Sequence, residues 1–290
     1  MKVTKAVIPA AGLGTRVLPA SKAVPKEMLP IVDMPAIEYI VREAASAGIT
    51  DILIITGRNK NAIEDHFDRA PELEERLAKG NKTDLLESVI APAKLCNIQF
   101  VRQQETKGLG HAVLCAKSFV GNDPFVVLYG DDVILGEKSA TAELCENYER
   151  YQRPCLGVKE VALSDIGRYS SVKIEPQADG LQMVTDMNEK PSADEVLSPY
   201  AILGRVLLTA EIFEILEQTA PGAGGEIQLT DAMRTLCKTT PFSAVEYSGR
   251  RYDMGNKLGI IEATLEAALA REDLRDEIAA MIKAKAALLK

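Results

Sequence analysis

The residues that could do chemistry begin with Gly12-Leu13-Gly14-Thr15-Arg16, which follows an apolar run and precedes Lys22 and Lys26. Glycines let backbone N–H groups close on an anion. An arginine can fork onto phosphate oxygens, and a lysine can neutralise another. Pro19, Pro25 and Pro30 keep this segment an irregular loop, so Arg16, Lys22 and Lys26 are held at fixed bends instead of along a solvated helix face. The loop matches neither of two familiar phosphate cradles. The G-x-x-x-x-G-K-[ST] pattern is absent, and Val17 stands where a dinucleotide fingerprint needs its third glycine. The missing glycine disfavours a nicotinamide oxidoreductase.

Three more groups add to this. Gly130-Asp131-Asp132 ends the apolar run 125–129. Adjacent carboxylates repel and call for a cation or a wet site. Asp131 suits Mg²⁺, which takes one or two carboxylates together with phosphate oxygens and water. Asp253, in Tyr252-Asp253-Met254-Gly255, is a candidate second carboxylate or else a cap for the next helix. Glu189-Lys190 offers an acceptor for sugar hydroxyls and a cation for a phosphate. No Ser/His or Cys/His nucleophile system can be assembled, and no Cys/His metal spacing occurs. His66 is expected on the surface, and His111 in capping or packing duty at a helix start. A phosphate monoester attacking a nucleoside triphosphate fits this inventory. Its oxygen is already ionised near pH 7, so alignment and charge neutralisation suffice without a general base.

Short apolar strands alternating with helices must position these groups. Residues 5–10, 52–56, 97–103 and 125–129 read as buried strands. Asp33 is expected to cap a helix through Ala47 with the stripe Ile37, Ile40, Val41 and Ala44, ended by Gly48. Asn61 with Glu64 is expected to open a second helix, a charged helical stretch is expected to follow it to about Val89, and Gly110 to Phe119 is expected to be helical. This pattern predicts an α/β fold with a Rossmann-like, mainly parallel sheet covered by helices. Ligands bind beyond the carboxyl ends of such strands, where Gly12–Arg16, Gln103–Gly108 and Asp131–Asp132 converge. The second half reads differently. Strands at 155–160, 171–175 and 181–187 suggest an antiparallel patch broken by Asn188-Glu189-Lys190-Pro191. Helices are expected near 209–218 and 227–238. In the helical tail, Leu258, Ile261, Leu265, Leu269, Ile278, Ile282 and Leu289 keep helical spacing, to pack on the same domain or on a second subunit. The expected organisation is one domain over 1–290. Within it lie a nucleotide-binding half (1–150), a β-rich sugar-binding half (151–255) and a helical C-terminal arm (256–290).

Composition narrows the partners. A net charge of −8 argues against general affinity for nucleic acid or anionic membrane. The absence of Trp argues against an aromatic stacking platform. No uncharged apolar run approaches the ~18–20 residues of a membrane span. The five cysteines are odd in number and lack C-x-x-C spacing, as in a reduced, cytoplasmic protein, and each is expected to serve as a small buried apolar residue.

The strings KAVIPAAGLGTR, PKEMLPIVDMPAIEYIV, GRNKNAIEDHFD, VRQQETKGLGHAV, YGDD, NEKP, GEIQLTDA and YDMGNKLG together resemble the sugar-1-phosphate nucleotidyltransferases, in particular their uridylyl branch, over nearly the whole chain. The resemblance implies Mg²⁺-dependent, in-line transfer of UMP from UTP to α-D-glucose 1-phosphate, by a homo-oligomer (dimer or tetramer). It implies that Ala10, Ala11, Gly12 and Gly14 lie against the nucleotide, that Arg16 and Lys26 act on its phosphates, and that Gln103 and Gly108 read the pyrimidine. By the same resemblance Asp131 carries Mg²⁺, with Asp253 matching a second acidic position. Asp132 and Glu189 face the sugar, Lys190 meets the sugar phosphate, and Glu226 matches a sugar-site motif. One departure stands out: where the family often has Arg-Tyr-Gly, with the glycine backbone facing the hexose, this chain has Arg168-Tyr169-Ser170. Gln103 does not by itself separate uracil from thymine, so a thymidylyltransferase on the same sugar phosphate is the near alternative. A non-catalytic sugar-nucleotide sensor should have lost Arg16, Lys26, Asp131 or Lys190, and all four are present.

Overall fold

The computed structural model describes residues 2–289. The four apolar runs of the first half become β1 (Lys5–Pro9), β2 (Asp51–Thr56), β3 (Asn97–Arg102) and β4 (Phe125–Leu128). They pair in parallel in the order β3–β2–β1–β4, with Val7 between Leu53 and Val127. Alternation sends Ala6 and Ile8 into one hydrophobic cluster and Val7 into the other, so both faces of the sheet are covered. The helix Ala36–Ser46 covers the first face with Ile37, Ile40, Val41 and Ala44, all fully buried. Each of its larger side chains contributes about 1.5–3 kcal/mol by leaving water.

The sheet then continues through β5 (Cys155–Glu160), β6 (Ser170–Pro176), β7 (Gln182–Glu189), β8 (Tyr200–Leu208) and β9 (Phe242–Glu246). The full order is β3–β2–β1–β4–β8–β5–β9–β7–β6. Strand β8 runs antiparallel to β4 and β5, β9 is parallel to β5, and β7 is antiparallel to β9 and β6. The expected parallel sheet therefore extends only as far as β4, and beyond it the sheet is mixed. Strand β8 is an addition to the expected strands, with Gly204-Arg205 at its middle. Gly204 adopts φ 77° where the register shifts between Ile202 and Val206. Arg205 is fully buried and answered by Glu43, with Nη2 2.5 Å from Oε2 and Nε 3.0 Å from Oε1.

Several local expectations are corrected. Pro35, not Asp33, occupies the cap position of the first helix, and Asp33 instead pairs with Arg271 at 2.6 Å. Asn61 is the first helical residue of Asn61–Phe67, with Lys60 at the cap position and no capping side chain. The charged stretch is two helices, Pro71–Lys79 and Thr83–Ile90, separated by a turn with Asn81 at φ 52°. The helix after Gly108 also divides, into Leu109–Leu114 and Lys117–Val120. Asn188 and Glu189 remain in β7, so the break begins at Lys190, whose φ is 46°. His66 is no plain surface residue: its Nε2 lies 2.8 Å from Glu38 Oε2.

The tail forms two helices, Lys257–Ala270 and Arg275–Ala287. In the first, the buried face is Gly259, Ala263 and Ala267, while Leu258 and Ile261 are exposed. Close approach explains the small residues: a Cβ on Gly259 would lie 2.2 Å from the Asp253 carbonyl oxygen. Cys145 and Cys155 are buried, and the other three cysteines are partly so. Among the described residues, no helix is long and apolar enough to cross a membrane.

Candidate active site

The carboxyl ends of β1, β3 and β4 open onto one cleft of about 380 Å³, whose walls include Ala11, Gly12, Lys26, Gln103, Gly108 and Asp131. A second cleft of about 140 Å³ is lined by Asp132, Ser170 and Glu189, and Leu109 belongs to both walls. Two other hollows, of about 490 and 530 Å³, are larger but hold none of the residues expected to act.

Close backbone packing sets the glycine loop. A Cβ on Gly130 would lie 2.4 Å from the Pro9 carbonyl oxygen, so glycine is required where β4 passes β1. Gly14 adopts φ 67°, and the Ser21 hydroxyl donates to its carbonyl at 2.7 Å. Ala10 lies buried beneath the cleft, its N–H donating to the Ile55 carbonyl at 2.8 Å. Beside the loop, buried Glu27 accepts from Lys60 Nζ at 2.6 Å. Burial pushes the Glu27 carboxyl above its usual range against the pull of Lys60 and Lys26.

The acidic centre is assembled by a short antiparallel ribbon. Residues Asp132–Leu135 pair with Arg250–Asp253, which sets Asp253 opposite Asp132. The Met254 N–H donates to the Asp131 carbonyl at 2.8 Å, tying the two turns together. Asp253 does not cap the following helix. Asn256 does so, accepting from the Gly259 N–H at 2.7 Å. The Asp253 carboxylate instead accepts from the Gly255 N–H at 2.7 Å and from Arg16 Nη1 at 3.3 Å. Lys26 Nζ donates to Asp131 Oδ2 at 2.5 Å, and Arg16 Nη2 stands 3.7 Å from the same oxygen. Burial opposes the Asp131 charge, but Lys26 and Arg16 outweigh it and hold the carboxyl below its usual range. Burial likewise opposes the Lys26 ammonium, which Asp131 and Glu27 raise above its usual value.

Asp131 and Asp253 share a close space: a Cβ on Gly255 would lie 2.8 Å from Asp253 Oδ1 and 3.0 Å from Asp131 Oδ2. Among the described residues, no group of three His, Cys, Asp or Glu side chains could hold a metal. Two hard carboxylates beside a glycine loop with two cations are, however, a donor set that Mg²⁺ accepts when phosphate and water complete its shell.

The smaller cleft is polar and tightly held. Arg251 Nη2 forms an ion pair with Asp132 Oδ1 at 2.6 Å. Arg251 Nε is buried and, among the described residues, has no hydrogen-bond partner, a donor that a hydroxylated ligand could satisfy. Burial pushes Asp132 above the usual carboxylate range; Arg251 opposes this and Asp131 adds to it. The Arg251 guanidinium stacks over Tyr169, 5.2 Å from the ring centroid. Glu189 Oε2 accepts from the Thr230 hydroxyl at 2.7 Å, and Ser170 is buried opposite Glu189 on β6.

Two expected residues, Glu226 and Lys190, stand apart from their groups, whereas Gln103 stays with its own. Glu226 lines the larger cleft, where a Cβ on Gly108 would lie 2.7 Å from its own Cβ, rather than the smaller one. Lys190 is half exposed and lines neither cleft, its Nζ 3.9 Å from Glu189 Oε1. Gln103 is buried, with Nε2 on the Gly108 carbonyl at 3.1 Å and on His111 Nδ1 at 2.9 Å. Arg251, Thr230, Gly255 and the Glu27–Lys60 pair escaped sequence reasoning. Arg251 adjoins the noted Tyr252-Asp253 stretch, but only the ribbon register reveals its partner.

Residues 5–269 match the family model described as nucleotidyl transferase. The chain is 50% identical over 282 residues to the Bacillus subtilis (strain 168) UTP–glucose-1-phosphate uridylyltransferase YngB, covering 97% of this chain and 95% of that protein. The solved structure of a UTP-bound UGPase from Acinetobacter baumannii superposes with a TM-score of 0.89 at 39% identity, covering 97% of this chain and 98% of that one. A UDP-glucose pyrophosphorylase complexed with UDP-glucose superposes with a TM-score of 0.82 at 40% identity, covering 93% and 100% of the respective chains.

Proposed function

The chain belongs to the nucleotidyl transferase family, and from that premise we propose that it transfers UMP from UTP to α-D-glucose 1-phosphate, giving UDP-glucose and pyrophosphate. It is an enzyme, a nucleotidyltransferase. The observation that carries the reading is the junction of the two clefts at Asp131-Asp132. There a phosphate loop with Arg16 and Lys26 meets a polar hollow built by Asp132, Glu189 and Arg251.

In this reading the sugar phosphate needs no base, so the protein aligns and neutralises. The backbone at Ala11 and Gly12 admits the nucleotide, with Ala10 and Gly14 shaping the loop, and Gln103 and Gly108 face the pyrimidine. Arg16 and Lys26 leave their carboxylate partners to neutralise the α-phosphate and the departing pyrophosphate. Asp131 and Asp253 hold Mg²⁺, which supplies charge neutralisation on the phosphate oxygens when bound. Asp132, Glu189 and the Ser170 backbone N–H receive the hexose, and Lys190, free to swing, meets its phosphate. Glu226 acts from the nucleotide side of the junction.

The same reading divides the single domain into the nucleotide half (1–150), the sugar half (151–255) and the helical arm (256–290). It takes the enzyme as cytoplasmic, without nucleic-acid or membrane partners, in keeping with the net charge of −8. A homo-oligomer is supported by the exposed Leu258 and Ile261 on the helix Lys257–Ala270. A matrix of UTP, dTTP, ATP and GTP against glucose 1-phosphate and other sugar 1-phosphates, read by pyrophosphate release with Mg²⁺, tests the proposal. UTP with glucose 1-phosphate should dominate. A clear preference for dTTP, or no pyrophosphate release under any pair, would overturn it.

A further inference from the structure

Beside the nucleotide cleft lies a separate cavity of about 300 Å³, walled by Gly12, Lys22, Lys26, Arg58, Asn59 and Lys60 among others. It shares Gly12, Leu13 and Lys26 with the cleft, and no acidic residue lines it. Two of its cations are already answered: Lys26 by Asp131, and Lys60 by Glu27 at 2.6 Å. Lys22 and Arg58 are exposed and form no ion pair among the described residues. In a chain of net charge −8, two unanswered cations on one concave wall mark a local anion trap.

The backbone fixes this wall to the phosphate loop. A Cβ on Gly57 would lie 3.0 Å from the Ala11 carbonyl oxygen, so the turn after β2 is pressed against the loop. Asn59 at φ 65° then reverses the chain and leaves Arg58 on the cavity side. Lys22 faces the same cavity from the short helical turn Ala20–Lys22.

We propose that this cavity receives the pyrophosphate as it leaves, with Lys22 and Arg58 as its binding cations. The proposal rests on the nucleotidyl-transfer reading above. In that reaction an oxygen of the sugar phosphate forms a bond to the α-phosphorus. The bond from the α-phosphorus to its bridging oxygen breaks, and the electron pair goes to pyrophosphate. Attacking and leaving oxygens lie roughly in line, so product and sugar must occupy different sides of the α-phosphate. The sugar cleft joins the nucleotide cleft at Leu109, whereas the basic cavity joins it across Gly12, Leu13 and Lys26. Its volume of about 300 Å³ gives room for pyrophosphate and part of its hydration. Lys26 thus stands between two compartments and can hand the leaving group from one to the other.

The test uses the full chain and its Lys22→Ala, Arg58→Ala and Arg58→Lys variants. Reverse-direction kinetics with UDP-glucose and varied pyrophosphate give separate KM values. Each alanine change should raise the KM for pyrophosphate about tenfold or more and leave that for UDP-glucose within about twofold, with Arg58→Lys recovering part of the loss. Calorimetric titration with magnesium pyrophosphate should show the same loss without needing turnover. Pyrophosphate KM and affinity unchanged in both alanine variants would overturn the proposal, as would a wild-type chain that binds no pyrophosphate. Failure of the function itself reads differently, as absent turnover of UTP and glucose 1-phosphate by the wild type.

Discussion

Arg251→Met isolates the charge buried in the smaller cleft. The Arg251 and Asp132 side chains are 14% and 4% exposed, and their ion pair is 2.6 Å long. Methionine keeps much of the volume and removes the cation, so Asp132 is left buried without its partner. Breaking a pair of this kind costs about 3–5 kcal/mol. With 290 residues and an unfolding entropy of about 2.1 cal/mol/K per residue, that corresponds to a fall in Tm of roughly 5–8 °C near neutral pH. The pH dependence identifies the group. The folded pKa of Asp132 lies above its unfolded value because burial disfavours the charge. Such a group gives most stability below its unfolded pKa, near about 3.9, and loses it as pH rises through the folded value. Without Arg251 the folded value rises further. The Tm gap between variant and wild type, followed by scanning calorimetry from about pH 8 to about pH 5, should therefore narrow in acid as Asp132 takes up its proton. A gap that stays constant or widens would refute the reasoning, because the destabilisation would then come from lost packing on Tyr169.

Two more outcomes follow from the acidic centre. Asp131→Asn should lower kcat/KM at least ~10²-fold while leaving the near-UV circular dichroism of the folded chain intact, since Asp131 lies beyond the end of β4. Activity within threefold of wild type would remove Asp131 from the metal assignment. Gly255→Ala places a Cβ 2.4 Å from Arg16 Nη2; it should push that guanidinium out of place and cut kcat about 10²-fold, and steady-state rates equal to wild type would show that Arg16 moves without consequence.

The first half of the fold was legible because its signals are local. KAVIPA, ILIIT and FVVLY are short apolar runs bounded by turn residues, and each became a parallel strand. Strand β8 was hidden because its middle, Gly204-Arg205, is readable only with Glu43 in view, 162 positions away. Helix caps failed for a related reason. Asp33 had the right chemistry at the right spacing, yet a long-range pair with Arg271 claimed it. In the tail, spacing left Leu258 and Ile261 to pack on the same domain or on a second subunit; the turn at Asp253 presses on Gly259, and the helix turns Gly259, Ala263, Ala267 and Ala268 inward instead. The residues expected to act were chosen by type, by their place at strand ends and by resemblance, and several of them line the two clefts. Arg251 was missed because its role depends on the ribbon register, which brings it beside a carboxylate far back in the chain.

The pairing of Arg16 with Asp253 also bears on biosynthesis. These residues are 237 positions apart, which at about 5–20 residues per second leaves roughly 10–50 s of translation between them. Through that interval the phosphate loop has emerged but Asp253 and the Gly255 turn have not. Gly259, whose helix backs that turn, emerges later still. The Arg16–Asp253 contact therefore forms only after the nine strands of the sheet and the ribbon Arg250–Asp253 have been synthesised.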